Sequence, residues 1–536
     1  MPDGAPGGWR RIASSPAPIL AAILASAIPI LSIAHPPVLD YPNHLARIWL
    51  LSGKVNEPPL SAMYAADWSQ ASTNIAVDFV ASSLARIMPI GALNLLLQLA
   101  MFLGPPVAAI LLNRALCRTW HIWQAATLFL AWSTTAIAGF LNFQIGLAAA
   151  LICAALLLPT GVAPARRMFA LHLASAALLL LIHPFALLFY AALGSGLALG
   201  DRPAMPRSVR DLALPGRKVA VLALACIAPL AALFLFAPTP PGVHANGTSA
   251  ILWSSPSKMI DPLRIGKALV SPILTYRAMT DILLFLPLAI CLGWAVASRR
   301  VRFHGGLLIA GIALAALACI APEEVGDASW IQRRLPPMAF LTFAAAIMPV
   351  QRQRVRADII IAAVITATIL LRIAWVERVW TDRQGDFAQL GEAAKRIPTG
   401  AAVIVVRLDW TGAAQFPLGR LIAGSPGAPI ETGRHAIAPF AVQRGFFIPT
   451  HFTVPGQQPL SVRPAWRSRS VYVTSIPYAS HLGTRNLKEP YVRNWRADFD
   501  YLLVINADMG ELPARVISHV TPLTGQGFAR LYRIRK

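Results

Sequence analysis

The strongest constraint on the fold is a series of long apolar segments in the first 376 residues. A helix needs roughly 20 such residues to cross the hydrocarbon core of a bilayer. Hydrophobic residues make up 56% of the 536 positions and charged residues 13%. This composition excludes a soluble globular chain and predicts a polytopic α-helical membrane protein. About eleven spans are predicted, at residues 17–35, 93–116, 121–138, 140–158, 168–183, 184–200, 219–237, 281–298, 303–321, 335–350 and 357–376.

The charge pattern predicts the orientation of these spans. The formal net charge is +23, but the basic residues are concentrated in alternate loops, seventeen on one side against nine on the other. Because cytoplasmic loops are enriched in lysine and arginine, residues 1–16 are predicted to be cytoplasmic and the chain after residue 376 extracytoplasmic. Much of the charge is therefore a topology signal, and no nucleic-acid partner is predicted.

Three regions follow from this pattern. Residues 1–16 form a cytoplasmic N-terminus, and residues 17–376 form a transmembrane domain with a first outer loop at 36–92, in which 76–88 reads as an interfacial helix. Beyond residue 376, proline, glycine and charged residues become frequent, and β-like runs occur at 402–408, 471–474 and 501–505. Residues 377–536 are therefore predicted to form an extracytoplasmic α/β domain, whose first helix, 384–396, carries Phe387, Leu390 and Ala394 at helical spacing.

The first outer loop begins with an acid, an imidazole and a guanidinium close together: Asp40, His44 and Arg47. If a helix follows Pro42, His44 and Arg47 project from one face, because they are three residues apart. Asp40 is then a candidate general base, with His44 as its partner and Arg47 as a phosphate ligand. The alternative is that Asp40 caps the helix and Arg47 extends to lipid headgroups.

A second charged segment precedes the tenth predicted span. It holds the adjacent cations Arg333 and Arg334, with the acids Glu323, Glu324 and Asp327 upstream. Planar guanidinium groups suit bidentate contacts to the phosphate of a lipid headgroup. The alternative is a solvated loop in which the acids neutralise the arginines. These acids, or Asp40, could also hold a divalent cation such as Mg²⁺ or Mn²⁺, although no ligand spacing specifies this.

Two further polar positions interrupt the apolar segments. His183, before Pro184, and Asn142 both fall near predicted outer turns, where they could contact a phosphate or a sugar. The alternatives are a satisfied buried histidine beside a proline kink, and a helix-capping asparagine. The C-terminal histidines His435, His451 and His481 match no ligand spacing and read as ordinary surface residues.

The layout of these motifs resembles the GT-C superfamily of membrane glycosyltransferases. The resemblance covers the membrane domain and rests on Asp40 with His44-Leu45-Ala46-Arg47, on residues 84–89, and on Arg333-Arg334-Leu335-Pro336. It implies a polyprenyl-phosphate-linked sugar as donor, Asp40 as base or metal ligand, and Arg333 or Arg334 as the phosphate ligand. Many members have a second acid beside the first, whereas Tyr41 stands here.

The resemblance also implies an inverting transferase in a bacterial inner membrane, acting on a glycan, lipid or protein acceptor at the extracytoplasmic face. Two other classes stay open. One is a non-enzymatic transporter or envelope scaffold, which predicts ionisable groups in mid-membrane. The other is an inactive member of the fold.

Overall fold

A computed structural model describes residues 15–157, 164–201, 209–237, 251–252, 261–322, 324–325, 328–350, 355–408, 418–420, 432–472, 476–486, 489–525 and 527–536. Helices dominate this part of the chain. Those of seven or more residues are α1 Ala17–Ser32, α2 Tyr41–Leu51, α3 Ile75–Leu84, α4 Ile90–Cys117, α5 Leu141–Leu157, α6 Ala165–Ile182, α7 Pro184–Leu199, α8 Val209–Phe236, α9 Pro262–Val270, α10 Ala278–Ala297, α11 Gly305–Ile320, α12 Ile331–Ala346, α13 Val355–Lys395 and α14 Ala438–Arg444. The strands are β1 Tyr64–Ala66, β2 Ile251–Leu252, β3 Val301–Phe303, β4 Glu324–Val325, β5 Ala328–Ser329, β6 Ile347–Pro349, β7 Val403–Arg407, β8 Leu460–Val462, β9 Tyr501–Ile505, β10 Val520–Pro522 and β11 Ala529–Ile534.

Several helices have the length and composition of membrane spans. Within the described ranges, five are long and apolar enough to cross a membrane: Ile90–Cys117, Ala165–Ile182, Pro215–Phe236, Ala278–Ala297 and Arg356–Lys395. Large apolar side chains on them point outward, since Leu224 is 62% exposed and Ile290 63%. This is the surface expected where lipid is the solvent. Other predicted segments form shorter apolar helices, so the number of spans stays a prediction.

The predicted span at 121–138 is not one helix. It is divided into the α-helical turns Trp123–Ala126 and Thr134–Ile137 and the 3₁₀ segment Thr127–Trp132. Thr134 donates its hydroxyl to the backbone carbonyl of Leu274 at 3.1 Å, and threonine side chains that bond to backbone in this way compete with helix formation. Nearly every residue here is buried, and irregular backbone is tolerated where protein rather than lipid surrounds it.

Contacts divide the chain into two compact units. The first consists of Met1–Ser32, Leu97–Ala136 and Phe140–Glu377, and the second of Ile33–Leu96, Ile137–Gly139 and Arg378–Lys536. The second unit therefore includes the whole of the predicted first outer loop, 36–92, as well as the C-terminal region.

In the first unit, small residues allow helix backbones to meet. A Cβ atom added to Gly196 of α7 would lie 2.7 Å from the carbonyl oxygen of Gly306 in α11, and one added to Gly146 of α5 would lie 2.8 Å from the Cβ of Ala186. Neither position has room for a larger side chain. Close helix approach at glycine and alanine is typical of helices packed in membranes.

The second unit is built on a four-stranded sheet with the order β10-β11-β9-β7. Strands β7 and β9 are parallel, while β11 pairs antiparallel with β9 and β10. The predicted strands at 402–408 and 501–505 are thus confirmed; the run at 471–474 lies partly outside the described residues. The predicted helix 384–396 is the end of α13, continuous with the last apolar segment, and Phe387, Leu390 and Ala394 enter the core as expected.

The predicted first outer loop contributes to this core. Ala46 and Leu50 of α2 pack in the same apolar cluster as the sheet, and β1 pairs antiparallel with β8, with Tyr64 opposite Val462. Strand pairing and shared burial therefore join segments about 400 residues apart in sequence. They bring α2, with Asp40 at its start, against the C-terminal region.

Candidate functional site

Asp40 is held at the start of α2 by backbone contacts. Its amide donates to the carbonyl of Ala138 at 3.0 Å, and its own carbonyl accepts from the amides of Asn43 and His44. Gly139 has φ +71°, and a Cβ there would collide with the backbone of Tyr41, so only glycine fits. The Asp40 carboxyl makes no capping bond to the helix and keeps 19% of its surface exposed. The alternative in which it simply caps α2 is therefore not what the structure shows.

His435 faces this carboxylate. Its Nε2 atom lies 3.6 Å from Oδ1 of Asp40, and its side chain is 1% exposed. Burial first, and then the nearby Arg434 and His451, hold the pKa of His435 well below its usual range. The imidazole is therefore neutral at physiological pH, and the contact joins a neutral ring to a carboxylate.

Asn43 connects His435 to the backbone of residues 450–452. Its Nδ2 atom donates to the carbonyl of Thr450 at 2.6 Å and lies 3.2 Å from Nδ1 of His435. Its Oδ1 atom accepts from the amide of Phe452 at 3.0 Å. The Phe452 ring makes edge contacts with both His44 and His435. One buried asparagine thus fixes the C-terminal segment against α2.

His44 and Arg47 do lie together, as their spacing predicted, but Arg47 points inward. Its Nε and Nη2 atoms contact the two carboxylate oxygens of Asp78 on α3, each at 2.9 Å, and Nη2 lies 3.0 Å from Nδ1 of His44. Arg47 and Asp78 are both fully buried. The roles predicted for Arg47, as a phosphate ligand or a headgroup contact, need an exposed guanidinium and are corrected here.

His451 and Thr450 add to the buried polar cluster. Both ring nitrogens of His451, the hydroxyl of Thr450 and Nη1 of Arg47 are buried with no hydrogen-bond partner among the described residues. Buried polar atoms of this kind are normally satisfied by water or by a ligand group. Burial lowers the pKa of His451 to about 3, so it too is neutral.

Reading His435 and His451 as ordinary surface residues was therefore wrong, since they are 1% and 2% exposed. His481 is half-buried and contacts Asn486 at 3.1 Å. No sequence spacing identified the first two, because they approach α2 only through the fold. The one sequence feature that could have indicated their burial is that each histidine lies close to apolar residues in a polar region.

In the first unit, Arg334 and His183 lie together, with Nη1 3.1 Å from Nε2. His183 directly precedes α7 and caps it, since its Nδ1 accepts from the amide of Phe185. A neutral imidazole has only one acceptor nitrogen, so only one of these contacts is a full hydrogen bond. The Arg334 guanidinium also lies over the Phe140 ring, 4.4 Å from its centroid. Asn142 is buried in the first turn of α5.

Arg333 lines a cavity of about 390 Å³ in the same unit. Arg264 and Lys267 of α9 also line it, together with the acids Asp261 and Glu324. The Arg333 guanidinium stacks on Trp330, 4.5 Å from the ring centroid. Three cations against two acids give the cavity a positive balance suited to an anion.

The carboxylates proposed as metal ligands do not form a fitting donor set. No group of three or more His, Cys, Asp or Glu side chains with the geometry to hold an ion occurs among the described residues. Glu324 is exposed in β4, and Asp40 belongs to the other unit. Glu323 and Asp327 lie outside the described residues.

Tyr41, where a second acid would stand in the GT-C pattern, is buried and donates its hydroxyl to the side-chain oxygen of Asn94 at 2.6 Å. It therefore fills a structural position. Comparison of the chain with protein-family models, with curated proteins and with solved structures finds no match.

Proposed function

We propose that this protein is an inverting glycosyltransferase of a bacterial inner membrane, with its N-terminus in the cytoplasm and its C-terminal domain outside. It transfers a sugar from a polyprenyl-phosphate donor to a glycan, lipid or protein acceptor. The observation that carries the proposal is Asp40: a partly exposed carboxylate, backbone-anchored and facing a neutral, buried histidine. Sheltered carboxylates of this kind are suited to general-base chemistry.

The chemistry assigned to Asp40 is proton abstraction. Its carboxylate accepts the proton of an acceptor hydroxyl as that oxygen forms a bond to the anomeric carbon of the sugar. The bond from this carbon to the donor phosphate breaks, and polyprenyl phosphate leaves with the electron pair. No step is assigned to a metal ion.

The cavity of the first unit that is lined by Arg264, Lys267 and Arg333 is suited by itself to the phosphate of a lipid headgroup, because guanidinium and ammonium groups bind phosphate oxygens. A lipid-linked donor also agrees with the apolar helices, since its polyprenyl tail would stay in the bilayer. No nucleotide-binding loop is then needed.

Removal of the Asp40 carboxylate is the direct test. Purified protein in lipid nanodiscs is given radiolabelled polyprenyl-phosphate hexoses and pentoses, with membranes from a strain lacking the gene as the acceptor source. We expect transfer of label by the native protein and a loss of about 10²- to 10⁴-fold in Asp40→Asn, the usual contribution of a general base.

Asp67→Asn is the matched control. Asp67 is exposed in the same unit and caps a short 3₁₀ helix, and asparagine caps equally well. Equal transfer by Asp40→Asn and native protein would remove Asp40 from the base role. Absence of transfer from every donor would favour the transporter or scaffold alternative.

A further inference from the structure

The side-chain amide of Asn43 can adopt only one orientation. Its Oδ1 accepts from the amide of Phe452, and its Nδ2 donates to the carbonyl of Thr450. Rotating the amide by 180° would place oxygen against the carbonyl and nitrogen against the N–H, losing both bonds. Nδ2 therefore faces His435, with its second hydrogen available to the ring.

This orientation selects the tautomer of His435. Because Nδ2 of Asn43 has only hydrogens to offer, Nδ1 of His435 must accept at 3.2 Å. The proton of the neutral ring is then on Nε2, the nitrogen that lies 3.6 Å from Oδ1 of Asp40. A hydrogen bond made by one ring nitrogen commonly sets the state of the other in this way.

We propose that His435, oriented by Asn43, is the positioning residue of Asp40: its Nε2–H is directed at the carboxylate, fixing its rotamer and favouring its ionised form. This inference rests on the proposed function of Asp40 as base. The distance of 3.6 Å exceeds a normal hydrogen bond, and such contacts commonly shorten when substrate binds.

The expected consequence is a shift in the pH profile of transfer. A donor to the carboxylate lowers its pKa, so removing the donor raises it. Because the base must be ionised, the acidic limb of the kcat profile should then move to higher pH. In His435→Phe we expect the acidic limb to move by about one pH unit, so that kcat measured on that limb is about tenfold lower than in the native protein, with KM little changed.

His435→Gln is the rescue variant, because its amide nitrogen can replace Nε2–H near the carboxylate. It should keep the native pH profile. His519→Phe is the matched control, since His519 is a half-buried histidine of the same unit outside the cluster. A profile in His435→Phe identical to native, while Asp40→Asn is inactive, would overturn the positioning role and leave the proposed function standing.

A second measurement does not depend on activity, and its first readout needs only the native protein. Nitrogen-15 NMR of the ring nitrogens in the native protein should show His435 as the neutral Nε2–H tautomer at about pH 6.5, where an ordinary imidazole is half protonated. The Nε2 signal should move in Asp40→Asn. Observation of the Nδ1–H tautomer would contradict the inference whatever reaction the protein catalyses.

Discussion

Each of the two units buries an arginine–aspartate ion pair, and the pairs use their remaining donors differently. In the first unit, Arg372 pairs with Asp281, and its Nη2 donates to the backbone carbonyls of Trp132 and Ile273. Asp281 in turn accepts from the amide and hydroxyl of Thr275. This pair contacts mainly fixed backbone, and its role is to hold irregular segments together.

In the second unit, Arg47 pairs with Asp78 through two hydrogen bonds, and its Nη2 also contacts His44. His44 stands one turn from Asp40 on the same helix. The pair therefore holds α3 against α2 and also orients a side chain beside the candidate base. Two ion pairs of similar burial and charge thus differ in their contacts: one is bonded mainly to backbone, and the other also contacts a histidine of the candidate site.

The largest expected effect is loss of stability when either acid is removed. Asp78→Ala and Asp281→Ala each leave an uncompensated buried guanidinium, which costs about 3–5 kcal/mol. Hydrogen exchange measured in nanodiscs should rise in α2 and α3 for the first variant, and near Thr275 and α13 for the second. An exposed pair contributes under about 1 kcal/mol, so a loss that small would show that water solvates the pair. Lys54→Ala, which breaks an exposed pair with Glu57, is the control.

A smaller effect, on transfer activity, should distinguish the Arg47–Asp78 ion pair from the Arg372–Asp281 ion pair. Replacing a whole buried pair with apolar residues is often neutral or stabilising. Arg47→Met with Asp78→Leu, and Arg372→Met with Asp281→Leu, should both recover much of the lost stability. Only the first pair of substitutions releases His44, so only it should lower kcat/KM for transfer, by about tenfold.

Hydrogen exchange on the same samples tells the two effects apart. Suppose that both double variants regain stability and lose kcat/KM for transfer equally. Arg47 would then have no specific effect on the candidate site. Full activity of the variant without Arg47 and Asp78 would lead to the same conclusion.

The sequence pattern predicted those structural features that depend on residues close together in the chain. The apolar helices, the helix after Pro42 and the core face of residues 384–396 follow from periodicity and composition. The partnerships that build the site do not, because they join residues far apart in sequence. His435 approaches Asn43 across 392 positions, and Asp78 on an apolar helix gives no sign that its partner is Arg47.

The break at 121–138 has a similar cause. Its composition is that of a span, but the hydroxyl of Thr134 contacts the backbone carbonyls of Ser271 and Leu274. A hydropathy scale counts a threonine as tolerable in lipid, and it does not include hydrogen bonds to distant parts of the chain. The same holds for Arg47, whose charge suggested an exposed phosphate ligand until Asp78 was placed beside it.

The smallest expected effect concerns the outer faces of the two helices that carry these acids. On α3, Asp78 points inward while Phe79 and Val80 are 61% and 56% exposed, and Ile87 just beyond is 82% exposed. On α10, Asp281 is buried while Ile290 is 63% exposed. The ten-residue α3 is too short to cross a bilayer, so we expect it to lie in the headgroup region.

Photoactivatable lipids in nanodiscs measure this difference. A probe at the headgroup should label the peptide containing Phe79 and Ile87, and a probe deep in the acyl chain should label the peptide containing Ile290. Phe79→Ser with Val80→Ser should roughly halve the headgroup labelling and leave the labelling of α10 unchanged. Labelling of α3 by the deep probe alone would place Asp78 within the hydrocarbon. The Arg47–Asp78 pair would then be shielded by lipid as well as by protein, and the two ion pairs would share one environment.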